Sequence, residues 1–168
     1  MSRKEKVQKT NAMRELESAG IDYTARTYEV EEDSSDRHLG VHIAEILGDD
    51  PDSSFKTLVT TTPSGDHVVC CIPVAEELDL KAAARAVGEK SLSMMHVRDL
   101  LDATGYVRGG CSPVGMKRRY RTVIDETCQL FDSISISGGR RGLTLEVGTD
   151  DLVGFCSAVL ADICKRGA

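Results

Sequence analysis

At 168 residues, with 40% apolar and 29% charged residues, the chain has the size and mix of one soluble globular domain. It has no Trp, three Phe and four Tyr, so its core has to be built from Val, Leu, Ile, Ala and Met. A net charge of −6 argues against nucleic-acid binding over the whole surface, because phosphate contacts draw on Lys and Arg. Yet Arg108, Lys117, Arg118, Arg119 and Arg121 fall in one stretch with no acid among them, either a local anion-binding patch or a solvated loop.

Residues 1–8 are polar and expected to fray, leaving 9–168 as a single domain. Ala12, Met13, Leu16 and Ala19 recur at helical spacing and predict a helix over 9–19, stopped by Gly20. Residues 21–30, rich in Tyr and Thr, read as a strand, and 38–47 as a short helix closed by Gly48. Strands over 55–62 and 67–74 flank Pro63-Ser64-Gly65-Asp66, the pattern of a hairpin. Asp79 is placed to cap a helix running through Val87 to Gly88. A further short helix covers 96–102 and ends near Gly105. Four glycines and a proline within 105–115 predict a loop of special backbone geometry. Residues 121–126, 133–137 and 142–147 read as strands, the last two linked through Gly138-Gly139. Asp150 and Asp151 are expected to cap a closing helix from 152 to about 165. Strands and helices alternate irregularly, with hairpins in place of a strict βαβ rhythm, which favours an α+β fold with a mixed or antiparallel sheet.

The six cysteines include no C-x-x-C pair, and no Cys/His spacing resembles a zinc site. No apolar run could span a bilayer, and no hydrophobic segment follows the basic start, so a reduced, cytoplasmic protein is expected. Three segments stand out chemically. In Phe55-Lys56-Thr57-Leu58, Lys56 shares a strand face with Leu58; its ammonium either escapes to water or enters a pocket, where it would offer a full charge and three donors. The loop around Gly109 and Gly110 is a plain turn or a backbone cradle for a ligand. Ser137, before Gly138-Gly139, is a turn residue or presents its hydroxyl to substrate. His38 and His42 lack the Glu of a zinc-protease helix, and Cys111 has no identifiable base, so metal and thiol catalysis are both disfavoured.

Taken in order, Phe55-Lys56-Thr57-Leu58, Leu78-Asp79-Leu80-Lys81, the run from Thr104 through Gly109-Gly110-Cys111-Ser112-Pro113 to Gly115, and Ser137-Gly138-Gly139-Arg140-Arg141-Gly142-Leu143 resemble the YbaK family. The likeness extends over about 9–165. These are bacterial Cys-tRNA(Pro)/Cys-tRNA(Cys) deacylases, related to the editing domain inserted in prolyl-tRNA synthetases. The resemblance implies an α+β fold with a mostly antiparallel, barrel-like sheet flanked by helices. It also implies hydrolysis of the ester between an amino acid and the terminal adenosine of tRNA, with no metal or cofactor. Lys56, Gly109 and Ser137 take the catalytic positions; Tyr28, Thr57, Gly110 and Ser112 contact the aminoacyl group. Arg108, Lys117, Arg118 and Arg119 become an acceptor-stem patch. With no synthetase module alongside, the expectation is a free-standing editor acting in trans, with Cys-tRNA(Pro) as substrate and prolyl-tRNA synthetase as partner. The substrate's ribose hydroxyl or cysteine thiol would assist catalysis, accounting for the missing triad. The alternatives are another mischarged amino acid such as alanine, or a non-catalytic tRNA- or nucleotide-binding module.

Overall fold

The computed structural model of the chain describes residues 8–30 and 39–165. Of the segment expected to fray only Gln8 falls within these limits, and His38 and the acids Glu31 to Asp36 lie outside them.

Helix α1 (Asn11–Ser18) begins where Thr10 Oγ1 accepts the Met13 N–H, and it buries Ala12, Met13 and Leu16. The same Thr10 hydroxyl donates to the Gly138 carbonyl at 2.6 Å, which pins the start of the helix to a distant turn. Strand β1 (Tyr23–Thr27) follows, then α2 (Leu39–Leu47), of which only Ala44 is fully buried. Strands β2 (Phe55–Thr61) and β3 (His67–Pro73) form the expected hairpin, closed by the Thr62 N–H on the Asp66 carbonyl. In α3 (Leu80–Val87) Asp79 accepts the Ala82 N–H and Gly88 ends the helix at φ 74°, both as the sequence suggests. Then come the two-residue strand β4 (Ser93–Met94), which no pattern announced, and α4 (Val97–Thr104), ended by left-handed Gly105. Strands β5 (Arg121–Asp125), β6 (Ser133–Ser137) and β7 (Leu143–Gly148) lie close to their expected limits.

The chain's end departs from expectation. Helix α5 (Thr149–Cys156) starts after Gly148 with no side-chain cap; Asp150 and Asp151 sit inside its first turn, where they meet the positive end of the helix dipole. It does not run to 165: Ser157 turns left-handed at φ 49°, and β8 (Val159–Ala161) follows. Two non-local demands override helical periodicity here. The free edge of β5 takes Val159 to Ala161 as a parallel neighbour. Beyond it, the fully buried Asp125 carboxylate needs donors, and it receives the Ile163 N–H at 3.0 Å along with the Thr127 N–H and hydroxyl.

The described strands form two sheets, of order β1-β7-β6 and β4-β2-β3-β5-β8. All pairs are antiparallel except β3 with β5 and β5 with β8. They do not close into a barrel; the sheets join at one isolated parallel bridge, Ser54 with Ser135. The main core lies between them and under α1 and α5, centred on Leu16, Ile124, Ile136, Leu145 and Leu152. A second core lies beneath α3 around Val68, Cys70 and Ile72.

Candidate active site

The site grows out of the place where the two sheets stop pairing. After the Ser54–Ser135 bridge β2 and β6 run the same way but form no further bridge. Lys56 and Ser137, each two residues past that bridge, therefore face one another across a splayed wedge. Both line a cavity of about 820 Å³. Helix α2 roofs it with Leu39, Ile43 and Leu47, and Met94, Met95 and Leu100 form another wall. Gly40 lets the roof lie directly on the residue that follows β3, since a Cβ there would come within 2.8 Å of the Val74 side chain. On β6 and β7, Ile134, Ile136, Leu143 and Leu145 point into the core, so alternation turns Ser135, Ser137 and Thr144 to the cavity side.

Lys56 is half-buried in this cavity, and among the described residues its ammonium makes no hydrogen bond or ion pair. Burial pulls its proton affinity below the ordinary lysine range, with Glu77 the strongest of the groups opposing that fall. Thr57, beside it, places its hydroxyl 3.8 Å from Cys71 Sγ. Tyr28 lines the cavity as well, positioned by its N–H on the Gly142 carbonyl at 3.0 Å.

The glycine pair does two different jobs. Gly109 adopts φ +85° and lines the cavity. Gly110 lies behind it, buried, its N–H already donated to the Val107 carbonyl at 3.0 Å. A Cβ on Gly110 would stand 2.9 Å from Arg140 Cα, so the two loops bordering the site pack backbone to backbone. The Arg141 Nε–H fastens them further by donating to the Arg108 carbonyl at 2.9 Å. Of the two amides expected to serve an oxyanion, the one on Gly110 is thus spent on its own turn. Ser112 is also off the cavity: it is fully buried, and its hydroxyl oxygen accepts the Val114 N–H. Cys111 does reach the cavity wall, but burial pushes its thiol up to about 12, so it stays protonated at neutral pH. Ser137 Oγ accepts the Gly139 N–H in a turn, and the residue also lines the cavity.

The basic stretch divides. Arg108 borders the cavity, whereas Lys117, Arg118 and Arg119 are not among its lining residues. Arg119 bonds the Phe155 carbonyl at 2.8 Å and lies over the Phe155 ring. Sequence reasoning missed an ion pair at the cavity's edge. Arg26 grips both oxygens of Asp49 at 2.6 and 2.7 Å and reaches Ser135 Oγ at 3.2 Å. Asp49, Ser135 and Thr144 all line the cavity. Alternation in β1 could have marked Arg26 for the polar face, but nothing local connects it to an acid 23 residues away. Among the described residues no three His, Cys, Asp or Glu side chains gather as a metal would require, and no helix is long and apolar enough to cross a membrane.

A family model described as "Aminoacyl-tRNA editing domain" matches residues 40–155, a span holding Lys56, the glycine pair and Ser137. The chain belongs to this family. It is 40% identical over 167 residues, 99% of either chain, to an Enterococcus faecalis (strain ATCC 700802 / V583) protein called "Putative Cys-tRNA(Pro)/Cys-tRNA(Cys) deacylase EbsC". Among solved structures, "hypothetical protein APE2540" superposes with TM-score 0.82 at 21% identity, covering 93% of this chain and 100% of its own. "A putative trans-editing enzyme for prolyl tRNA synthetase" does so with TM-score 0.77 at 21% identity, covering 93% and 96%. The last two show the fold alone.

Proposed function

We propose that this editing-family chain is a deacylase that hydrolyses the ester of mischarged tRNA in trans, with Cys-tRNA(Pro) as its substrate. One observation carries the reading: Lys56 stands half-buried and, among the described residues, unpaired in the cavity that also holds Tyr28, Gly109 and Ser137. An aminoacyl ester is already activated, so hydrolysis needs positioning and a stabilised tetrahedral oxyanion more than a strong nucleophile. Lys56 supplies positive charge to the ester carbonyl or the terminal phosphate, strengthened by its partial removal from water. The Gly109 N–H is one backbone donor for the developing oxyanion, and the Ser137 and Tyr28 hydroxyls orient the aminoacyl group. Arg108, at the cavity's border, takes the acceptor-stem phosphates. Lys117, Arg118 and Arg119 contribute only as a more distant basic field.

With a net charge of −6 the protein binds tRNA weakly on its own, and association with prolyl-tRNA synthetase would supply the missing affinity. The 820 Å³ cavity is far larger than a cysteine side chain, so its volume does not separate Cys from Ala. The test follows loss of labelled ester from Cys-tRNA(Pro), Ala-tRNA(Pro) and Pro-tRNA(Pro), with and without the synthetase. Fast loss of the Cys ester, a spared Pro ester and an inert Lys56→Ala variant are expected. Preferential loss of the Ala ester would move the substrate to alanine, and no cleavage of any ester would refute the enzyme reading.

A further inference from the structure

The wedge exposes main chain as well as side chains. In the β2–β3 hairpin the Val74 N–H donates to the Ser54 carbonyl and the Thr62 N–H to the Asp66 carbonyl, each at 2.8 Å. Antiparallel pairing alternates, so Ser54, Lys56, Leu58, Thr60 and Thr62 turn their N–H and C=O groups toward β3. Phe55, Thr57, Val59 and Thr61 turn theirs to the opposite edge. At one end of that edge β4 pairs with Thr60 and Thr61, and the Met95 N–H takes the Val59 carbonyl at 3.1 Å. At the other end the Ser54–Ser135 bridge ties down the chain entering Phe55. Between these closures Thr57, which lines the cavity, turns its N–H and C=O to an edge on which, among the described residues, no strand is bridged to it. A strand edge left unbridged inside a cavity is a binding site for a complementary donor and acceptor.

We propose that the Thr57 main chain is a strand-edge clamp, pairing with the α-amino group and acyl carbonyl of one amino acid as the next strand would. This rests on the deacylase reading and names how that site holds its substrate. The gap fixes the occupant's length. An antiparallel hydrogen-bonded pair uses the N–H and C=O of a single residue, which is what an aminoacyl ester carries. A longer peptide would run into β4 on one side and β6 on the other. The α-ammonium donates to the Thr57 carbonyl, while the Thr57 N–H donates to the acyl oxygen and polarises the ester from the side opposite the β2–β3 pairing. Paired residues direct their side chains to the same face, so an L-residue points its own toward Val59 and Cys111, which share a small apolar cluster on the Thr57 face. Because main chain does the holding, the clamp is indifferent to side-chain identity; only the Val59–Cys111 wall sees it.

The test is amide hydrogen exchange by NMR on the full chain, with and without 3′-cysteinylamino-3′-deoxyadenosine, whose amide replaces the labile ester. Without ligand the Thr57 amide should exchange fast while Leu58, bonded across the hairpin, is protected. Saturating analogue should slow Thr57 at least tenfold, and the same analogue lacking its α-amino group should bind at least tenfold more weakly. A Thr57 amide unchanged at saturation, equal binding of the deamino analogue, or no binding of either would each overturn the clamp. Ester hydrolysis measured on the same preparation separates the two claims. Cleavage with an unchanged Thr57 amide refutes the clamp alone, and a protected Thr57 with no cleavage refutes the enzyme reading alone.

Discussion

Replacing Gly110 by alanine separates the structural from the chemical role of the glycine pair. Gly110 does not have the positive φ of its neighbour, so a side chain brings no backbone strain there. The obstruction is steric. The new Cβ would lie 2.9 Å from Arg140 Cα, 3.1 Å from Arg140 C and 3.2 Å from Arg141 N, all backbone atoms that cannot swing aside. Relaxing 2.9 Å to an ordinary carbon contact of ~3.5–4.0 Å parts the two loops by at least ~0.6 Å. Overpacking of this kind costs ~1–3 kcal/mol, and at about 2–4 °C per kcal/mol for a chain of this size Tm should fall by ~2–12 °C. The separation also moves Gly109 and Arg108 relative to Lys56. Since a 1 Å misplacement can cost ~10²-fold in rate, kcat/KM for ester loss should fall ~10–100-fold. Thermal unfolding and single-turnover deacylation of Gly110→Ala measure both. A variant with the parent's Tm would show that the loops do not pack backbone to backbone. A lowered Tm with unchanged kcat/KM would show that they pack but do not position the site.

Lys56→Met should lower kcat/KM by ~10²–10³-fold, the scale for removing one charge-stabilising donor, without lowering Tm. The reason is the sign of the shift. Burial makes the charged form unfavourable in the folded state, a penalty fully present below the lowered folded value and gone above the ordinary value near 10.5. The stability of the parent should therefore rise relative to Lys56→Met as pH climbs through that window, followed by denaturant unfolding at several pH values; a gap that widens with pH would reverse the argument. For the same reason the enzymatic rate, after subtracting spontaneous alkaline hydrolysis, should decline with an inflection below the ordinary lysine value, and an inflection at or above it would refute the role of burial. The thiols of Cys70, Cys111, Cys128 and Cys156 are each raised, to about 12, 12, 11 and 11, and Cys71 is raised by burial too. At pH 8 a disulfide reagent should react with the four buried ones, Cys70, Cys71, Cys111 and Cys128, only at the rate of unfolding, and rapid labelling of Cys111 in the folded protein would reopen thiol chemistry at the site.

The amino-acid sequence alone determined the elements whose signals are local. The β2–β3 hairpin follows from four turn residues, and α3 from the Asp79 cap and left-handed Gly88, because each choice is made within a few residues of chain. It also singled out Lys56, Gly109 and Ser137 through an ordered set of motifs, and the structure brings all three to one cavity. What it could not determine is where pairing stops. Nothing in Phe55-Lys56-Thr57 or Ser135-Ile136-Ser137 says that their strands meet at one bridge and pair no further, because that is decided by how two whole sheets come together. The end of the chain became a strand because β5 had a free edge and Asp125 an unsatisfied carboxylate, both settled more than 30 residues away. Gly110 and Ser112 left the site, and Asp49 and Arg26 came to its edge, for the same reason: burial and partnership are properties of the packed chain, decided by contacts that no local pattern encodes.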